Sequence, residues 1–92
     1  MAPSLSRELL IVNKRGLHAR ASAKFVQTVE RFDAAVTVTR CGETVGGRSI
    51  MGLLTLGAAK GTTITVTAKG YDAAESLAAI TELVENRFGE DD

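Results

Sequence analysis

The stretch Thr62-Thr63-Ile64-Thr65-Val66-Thr67-Ala68-Lys69-Gly70 alternates without a slip. Ile64, Val66 and Ala68 fall on one face and Thr63, Thr65 and Thr67 on the other, the period of a strand with one buried side and one wet side. Strands covered on both faces read instead as continuous apolar runs, so this strand predicts a sheet with helices on one face only. Downstream, Asp72 and Glu75 form an acidic variant of the capping box, opening a helix with Ala73, Leu77, Ile80, Val84 and Phe88 on one side. Gly89 then ends the order. Upstream, Ser49 is a good N-cap for the short run Ile50 to Leu56, with Gly57 in the C′ place and Gly52 weakening the middle. Before it, Ala35 to Arg40 alternates, turns at Cys41-Gly42 and returns through Glu43 to Val45. Ala19 to Phe32 carries Ala19, Ala23, Val26, Val29 and Phe32 at helical steps, and Glu8 to Val12 is a short β-branched strand ending at Asn13-Lys14-Arg15-Gly16. The order is βαββαβα, an α+β two-layer open-faced sandwich. Residues 1–92 are expected to form one domain, with 1–6 and 89–92 frayed at its ends.

Ninety-two residues suffice for one core without metal or disulfide, and with one Cys no intrachain disulfide can form. The absence of a Cys/His cluster excludes zinc and iron–sulfur sites, so no metal is expected. Neither a targeting segment nor a run of about 20 apolar residues is present, which predicts a cytoplasmic location without membrane insertion. The 11 basic and 11 acidic residues cancel, yet they are segregated. Residues 1–60 hold nine basic and four acidic side chains, and residues 61–92 hold two and seven. The expectation is a basic face compensated by an acidic last helix on the opposite side. A nucleic-acid partner is not expected, since the strands offer Val and Thr where base stacking needs aromatics.

Reactive chemistry gathers in Asn13-Lys14-Arg15-Gly16-Leu17-His18-Ala19-Arg20, at a loop-to-helix junction. The first N–H groups of a helix lack intrahelical partners and the macrodipole is positive there, so backbone alone can hold an anion. A neutral His18 imidazole beside that end has a nitrogen free to act as a nucleophile, and a phosphoryl group on it would rest against the N–H groups of Ala19 and Arg20. The Arg20 fork suits phosphate oxygens, and Lys14 and Arg15 deepen the positive field. A His before a helix is more often a solvated or capping residue; it is the clustering of Gly16, His18, Arg20 and two further cations that points to chemistry. Cys41, in a tight turn, reads as passive.

Gly16-Leu17-His18-Ala19-Arg20, followed some thirty residues later by Arg48-Ser49-Ile50-Met51-Gly52, resembles the HPr family, the histidine phosphocarriers of the phosphoenolpyruvate-dependent phosphotransferase system. The resemblance spans Arg7 to Phe88. It implies an antiparallel four-stranded sheet of order 1-4-2-3 and a stoichiometric carrier rather than an enzyme, without a cofactor. It also implies that His18 accepts a phosphoryl group on Nδ1 from enzyme I and passes it to an enzyme IIA-type protein, with Ala19 and Arg20 holding the phosphate. Ser49, a plain N-cap by its own chemistry, becomes by resemblance a regulatory site for an HPr kinase/phosphorylase. Partner docking is implied for Leu17, Arg48, Ile50, Met51 and Leu54 on a monomer, and Leu17, Ile50, Met51 and Leu54 would form with Leu53 an apolar patch around His18. Ala21 stands where the family usually has proline and leaves the first turn one more N–H. The loop before His18, the Ala58-Ala59-Lys60-Gly61 turn and the acidic end look more like the nitrogen-type branch, whose output is regulatory, than the sugar-uptake branch.

Overall fold

The computed structural model describes residues 4–90. Four strands, β1 (Ser4–Leu10), β2 (Ala35–Arg40), β3 (Glu43–Gly46) and β4 (Thr63–Lys69), alternate with three helices, α1 (Ala19–Val29), α2 (Ile50–Thr55) and α3 (Ala73–Glu85). A turn of left-handed residues, Arg87–Gly89, follows. All strand pairs are antiparallel and the order is β1-β4-β2-β3. No helix among the described residues is long and apolar enough to cross a membrane.

The alternation in β4 sets the two layers. Ile64, Val66 and Ala68 point into the core with Leu9, Val36 and Val38, against Phe25, Val29, Leu53, Leu77, Ile80 and Val84 from the helices. Burial of this apolar surface, about 25 cal/mol per Å², is the main term holding sheet to helices. On the other face hydroxyls pair across strands, Ser6 Oγ with Thr67 Oγ1 at 2.8 Å and Thr39 Oγ1 with Thr44 Oγ1 at 2.8 Å. The β2–β3 turn is a two-residue hairpin with both Cys41 (φ 51) and Gly42 (φ 82) left-handed, matching the twist of its strands.

Several local expectations are corrected. The first strand starts at Ser4, not Glu8, so residues 4–6 are ordered rather than frayed, and it ends at Leu10. Arg7 hides the pattern: it pairs with Val66 on the helix side of the sheet, where its Nη1 donates to Thr81 Oγ1 of α3 at 3.3 Å. Ile11 leaves the regular ladder yet is fully buried, bonded to Thr62 and Gly61. The buried stripe of α1 is Ala21, Ser22, Phe25, Val26, Thr28 and Val29, rotated from the expected one, because Phe25 rather than the exposed Ala19 faces the core. That helix ends at Val29, before Phe32, and α3 ends at Glu85, with Phe88 in the separate turn. Asp72 does not cap α3 with its side chain. Its carboxylate instead accepts from the Asp33 backbone N–H at 2.8 Å while its own N–H donates to the Asp33 carbonyl at 2.9 Å, clasping the loop before β2.

The short helix α2 forms as its punctuation requires. Ser49 Oγ accepts from the Gly52 N–H at 2.9 Å, and Gly57 follows the C-cap with φ +61. Gly52, costly within a helix, sits where an added Cβ would lie 3.0 Å from the Val45 Cβ of β3, so close packing explains its place.

Candidate functional site

The loop from Asn13 to His18 is built before any side chain reaches solvent. Asn13 is fully buried, and its Nδ2 donates to the Gly16 carbonyl at 2.7 Å while the Gly16 N–H donates to the Asn13 carbonyl at 3.2 Å. Asn13 Oδ1 is buried without a hydrogen-bond partner among the described residues. The next N–H, of Leu17, donates to the Ala58 carbonyl at 2.9 Å, stitching this loop to the one after α2. That approach demands glycine at position 16: its φ is +67, and a Cβ there would meet the Ala58 carbonyl oxygen at 2.5 Å.

His18 is the N-cap residue of α1, with an extended backbone and no capping bond from its side chain. Its carbonyl accepts the first helical bond, from Ser22 N–H at 2.8 Å, so the N–H groups of Ala19, Arg20 and Ala21 precede the intrahelical ladder. The ring makes no bond to the helix end and meets the C-terminal segment instead. Nε2 of His18 contacts Glu90 Oε2, with the two side chains only 17% and 16% exposed, and Glu90 Oε1 accepts from Asn13 Nδ2 at 3.1 Å.

The tail reaches His18 through consecutive left-handed residues, Arg87 (φ 58), Phe88 (φ 55) and Gly89 (φ 76). Phe88 is 1% exposed, and its carbonyl accepts from Lys24 Nζ of α1 at 2.6 Å. Partial burial pushes the Glu90 carboxyl up, but hydrogen bonds from His18 and Asn13 and the charges of His18 and Arg15 outweigh it, holding the group below its ordinary 4.5. A carboxyl with a lowered folded pKa gives its stabilisation in full above the unfolded value and loses it as pH falls through the lowered one. An NMR titration of the Glu90 side-chain carboxyl should therefore show a midpoint below 4.5. A midpoint at or above that value would remove the contact.

Arg20 is exposed on the first turn of α1 and enters no ion pair among the described residues. Ala19 is exposed beside it, and Lys14 and Arg15 lie exposed on the loop. Across the α1–α2 contact, Met51 is 72% exposed, with Ile50, Arg48 and Ser49 also exposed and Leu54 half-buried. Leu17 is a correction to the expected patch. It is 5% exposed and, like the fully buried Leu53, belongs to the core.

A loop-presented histidine at a helix N-terminus, on a β1-β4-β2-β3 sheet, has close counterparts. The family profile described as "PTS HPr component phosphorylation site" matches residues 5–86. The chain belongs to the HPr family. It is 50% identical over 86 residues to a phosphocarrier protein HPr of Neisseria meningitidis, covering 94% of this chain and 97% of that one. A phosphocarrier protein NPr of Shewanella violacea is 42% identical, covering 94% of each. Among solved structures, HPr of Thermoanaerobacter tengcongensis superposes with a TM-score of 0.90 at 38% identity, covering 95% of this chain and 98% of that one. Members of the HPr family are phosphocarriers of the phosphotransferase system and not enzymes, and phosphotransferase proteins are their partners.

Two residues of this HPr site escape a reading of the sequence. Glu90 looks like the start of a solvated acidic tail, and Asn13 like an ordinary loop residue. The one local signal is Asn13 three positions before Gly16, the spacing of a side chain that closes its own turn. Residues 91 and 92, also expected to fray, lie outside the described residues.

Proposed function

We propose that His18 accepts a phosphoryl group on Nδ1 from phospho-enzyme I and passes it to an enzyme IIA-type acceptor. The observation that carries this reading is the placement of His18 as the N-cap residue of α1, its side chain making no capping bond, at the positive end of the helix where the N–H groups of Ala19 and Arg20 precede the intrahelical ladder. In-line transfer asks little covalent work of the protein beyond positioning and charge stabilisation. Arg20, exposed and in no ion pair among the described residues, supplies a guanidinium for the phosphate oxygens. The exposed Met51, Ile50 and Arg48, with half-buried Leu54, form the docking face, and Met suits a surface that must fit several partners. The carrier acts as a single cytoplasmic domain. Relatives at 50% identity bear the HPr name, which favours general carriage over a dedicated nitrogen-type role.

Ser49 is the regulatory site in this reading, phosphorylated by an HPr kinase/phosphorylase. Its hydroxyl is exposed in a capping bond to Gly52 N–H, where a dianion is tolerated by the helix end while opposing an acidic partner. Incubation with phosphoenolpyruvate and enzyme I should give an acid-labile, base-stable label that His18→Ala abolishes. An ATP-dependent, acid-stable label should vanish only in Ser49→Ala. Persistence of the first label in His18→Ala would move the acceptor elsewhere, and equal kinase labelling of Ser49→Ala would remove the regulatory assignment.

A further inference from the structure

We propose that Glu90 is a positioning residue for His18: its carboxylate takes the Nε2–H, so that Nδ1 carries the lone pair presented to the phosphoryl donor. The inference rests on the reading of His18 as the acceptor. A carboxylate ionised at neutral pH is an acceptor only, so the ring nitrogen facing it holds the proton. In a neutral imidazole the lone pair is then on the other nitrogen. The contact alone would be a surface ion pair of small worth. What makes it a constraint is the fixing of both sides.

Glu90 Oε1 is held by Nδ2 of Asn13, a fully buried side chain that also donates to the Gly16 carbonyl two residues before His18. Carboxylate, loop carbonyl and ring are thus referred to one buried amide. The chain leading to Glu90 is anchored by buried Phe88, whose carbonyl accepts from Lys24 Nζ. Ring and carboxylate each keep under a fifth of their surface exposed, which limits competition from water.

Such a tautomer makes the transfer balance without a base. The Nδ1 lone pair forms the N–P bond, and the bond from phosphorus to its carrier atom on phospho-enzyme I breaks with the electron pair staying on that atom. The Nε2 proton stays where it is. The His18 ring becomes a phosphorylated imidazolium, and its new positive charge lies against Glu90. The carboxylate therefore orients the neutral ring and then offsets the charge that transfer creates.

Full-length protein labelled with 15N-histidine reads the tautomer directly by NMR. In the wild type at a pH where His18 is neutral, the proton should reside on Nε2, and Glu90→Ala should return the ring to a mixture. Glu90→Gln separates the two roles. Its amide oxygen can still accept, so the tautomer should persist, while the phosphorylated fraction at equilibrium with enzyme I and phosphoenolpyruvate falls. Glu90→Ala should lower the rate of acceptance about tenfold, the scale of one charge-assisted hydrogen bond. An unchanged tautomer in Glu90→Ala, or acceptance as fast as or faster than in the wild type, would overturn the proposal. The NMR signature does not depend on phosphoryl transfer, so a protein that enzyme I fails to label while the proton still resides on Nε2 would sink the acceptor reading and leave only the pairing of Glu90 with the His18 ring.

Discussion

Phe88→Ala should cost about 3–4 kcal/mol of stability and uncouple Glu90 from His18. For a chain of 92 residues that is a fall in Tm of roughly 15–25 °C. Phe88 is among the largest fully buried side chains, although it lies beyond the last turn of α3. Its burial is what turns the chain back through three left-handed residues toward α1, where Lys24 fastens its carbonyl. Alanine would keep the backbone strain of φ 55 and lose the apolar contacts that offset it. The tail should then detach, and with it the carboxylate on the His18 ring. Phe32→Ala is the control, because Phe32 is half-buried after α1 and its loss should cost about 1 kcal/mol. Urea denaturation measures the difference, and the His18 tautomer measured below the melting range measures the uncoupling. Equal losses for the two variants would show that Phe88 is not the anchor of the tail.

The layers were legible because period-two alternation in Thr63–Lys69 and Ala35–Arg40 survives burial, and because Ser49, Gly57 and Cys41-Gly42 punctuate by local chemistry. Each needs only a neighbour within a few residues. The errors arose where a distant partner decides. Arg7 breaks the apolar pattern of β1 because its partner is Thr81 of α3, and the Asp72 carboxylate does not cap α3 but accepts from the Asp33 N–H. Alanines at helical steps hide the buried face of α1, because the volume of Phe25 sets the packing.

His18 and Arg20 were legible in the same way, as a local cluster at a helix start. Glu90 was not, since 72 positions separate it from His18 and its own neighbourhood reads as solvated acid. The segregated charge along the sequence does not show where its acidic groups close, for the same reason. Part of the acidic end lies among basic groups: Glu90 closes on His18, and Glu82 lines a groove between α1 and α3 together with Lys24 and Arg31. A negative charge from the far end of the sequence is thus set among the cations of the site.

Gly16→Ala should destabilise the protein by about 3 kcal/mol and lower phosphoryl acceptance beyond what unfolding explains. Two costs add. A non-glycine residue at φ +67 is strained by about 1 kcal/mol, and its Cβ would lie 2.5 Å from the Ala58 carbonyl oxygen and 2.9 Å from Ala59 Cα, both backbone atoms that cannot swing aside. Moving that loop breaks the Leu17 N–H bond to the Ala58 carbonyl and leaves a buried donor unpaired. It also shifts the Gly16 carbonyl from Asn13 Nδ2, the amide that holds Glu90. Gly42→Ala provides the comparison, having a similar φ of +82 at the hairpin tip but nothing within 4 Å of an added Cβ. It should show the strain alone, about 1 kcal/mol, with acceptance unchanged. The difference between the two variants is therefore the packing of the loop against Ala58, read by denaturation, and its functional consequence, read by enzyme I labelling at full folding. If Gly16→Ala behaved like Gly42→Ala in both, the contact between the two loops would have no part in presenting His18.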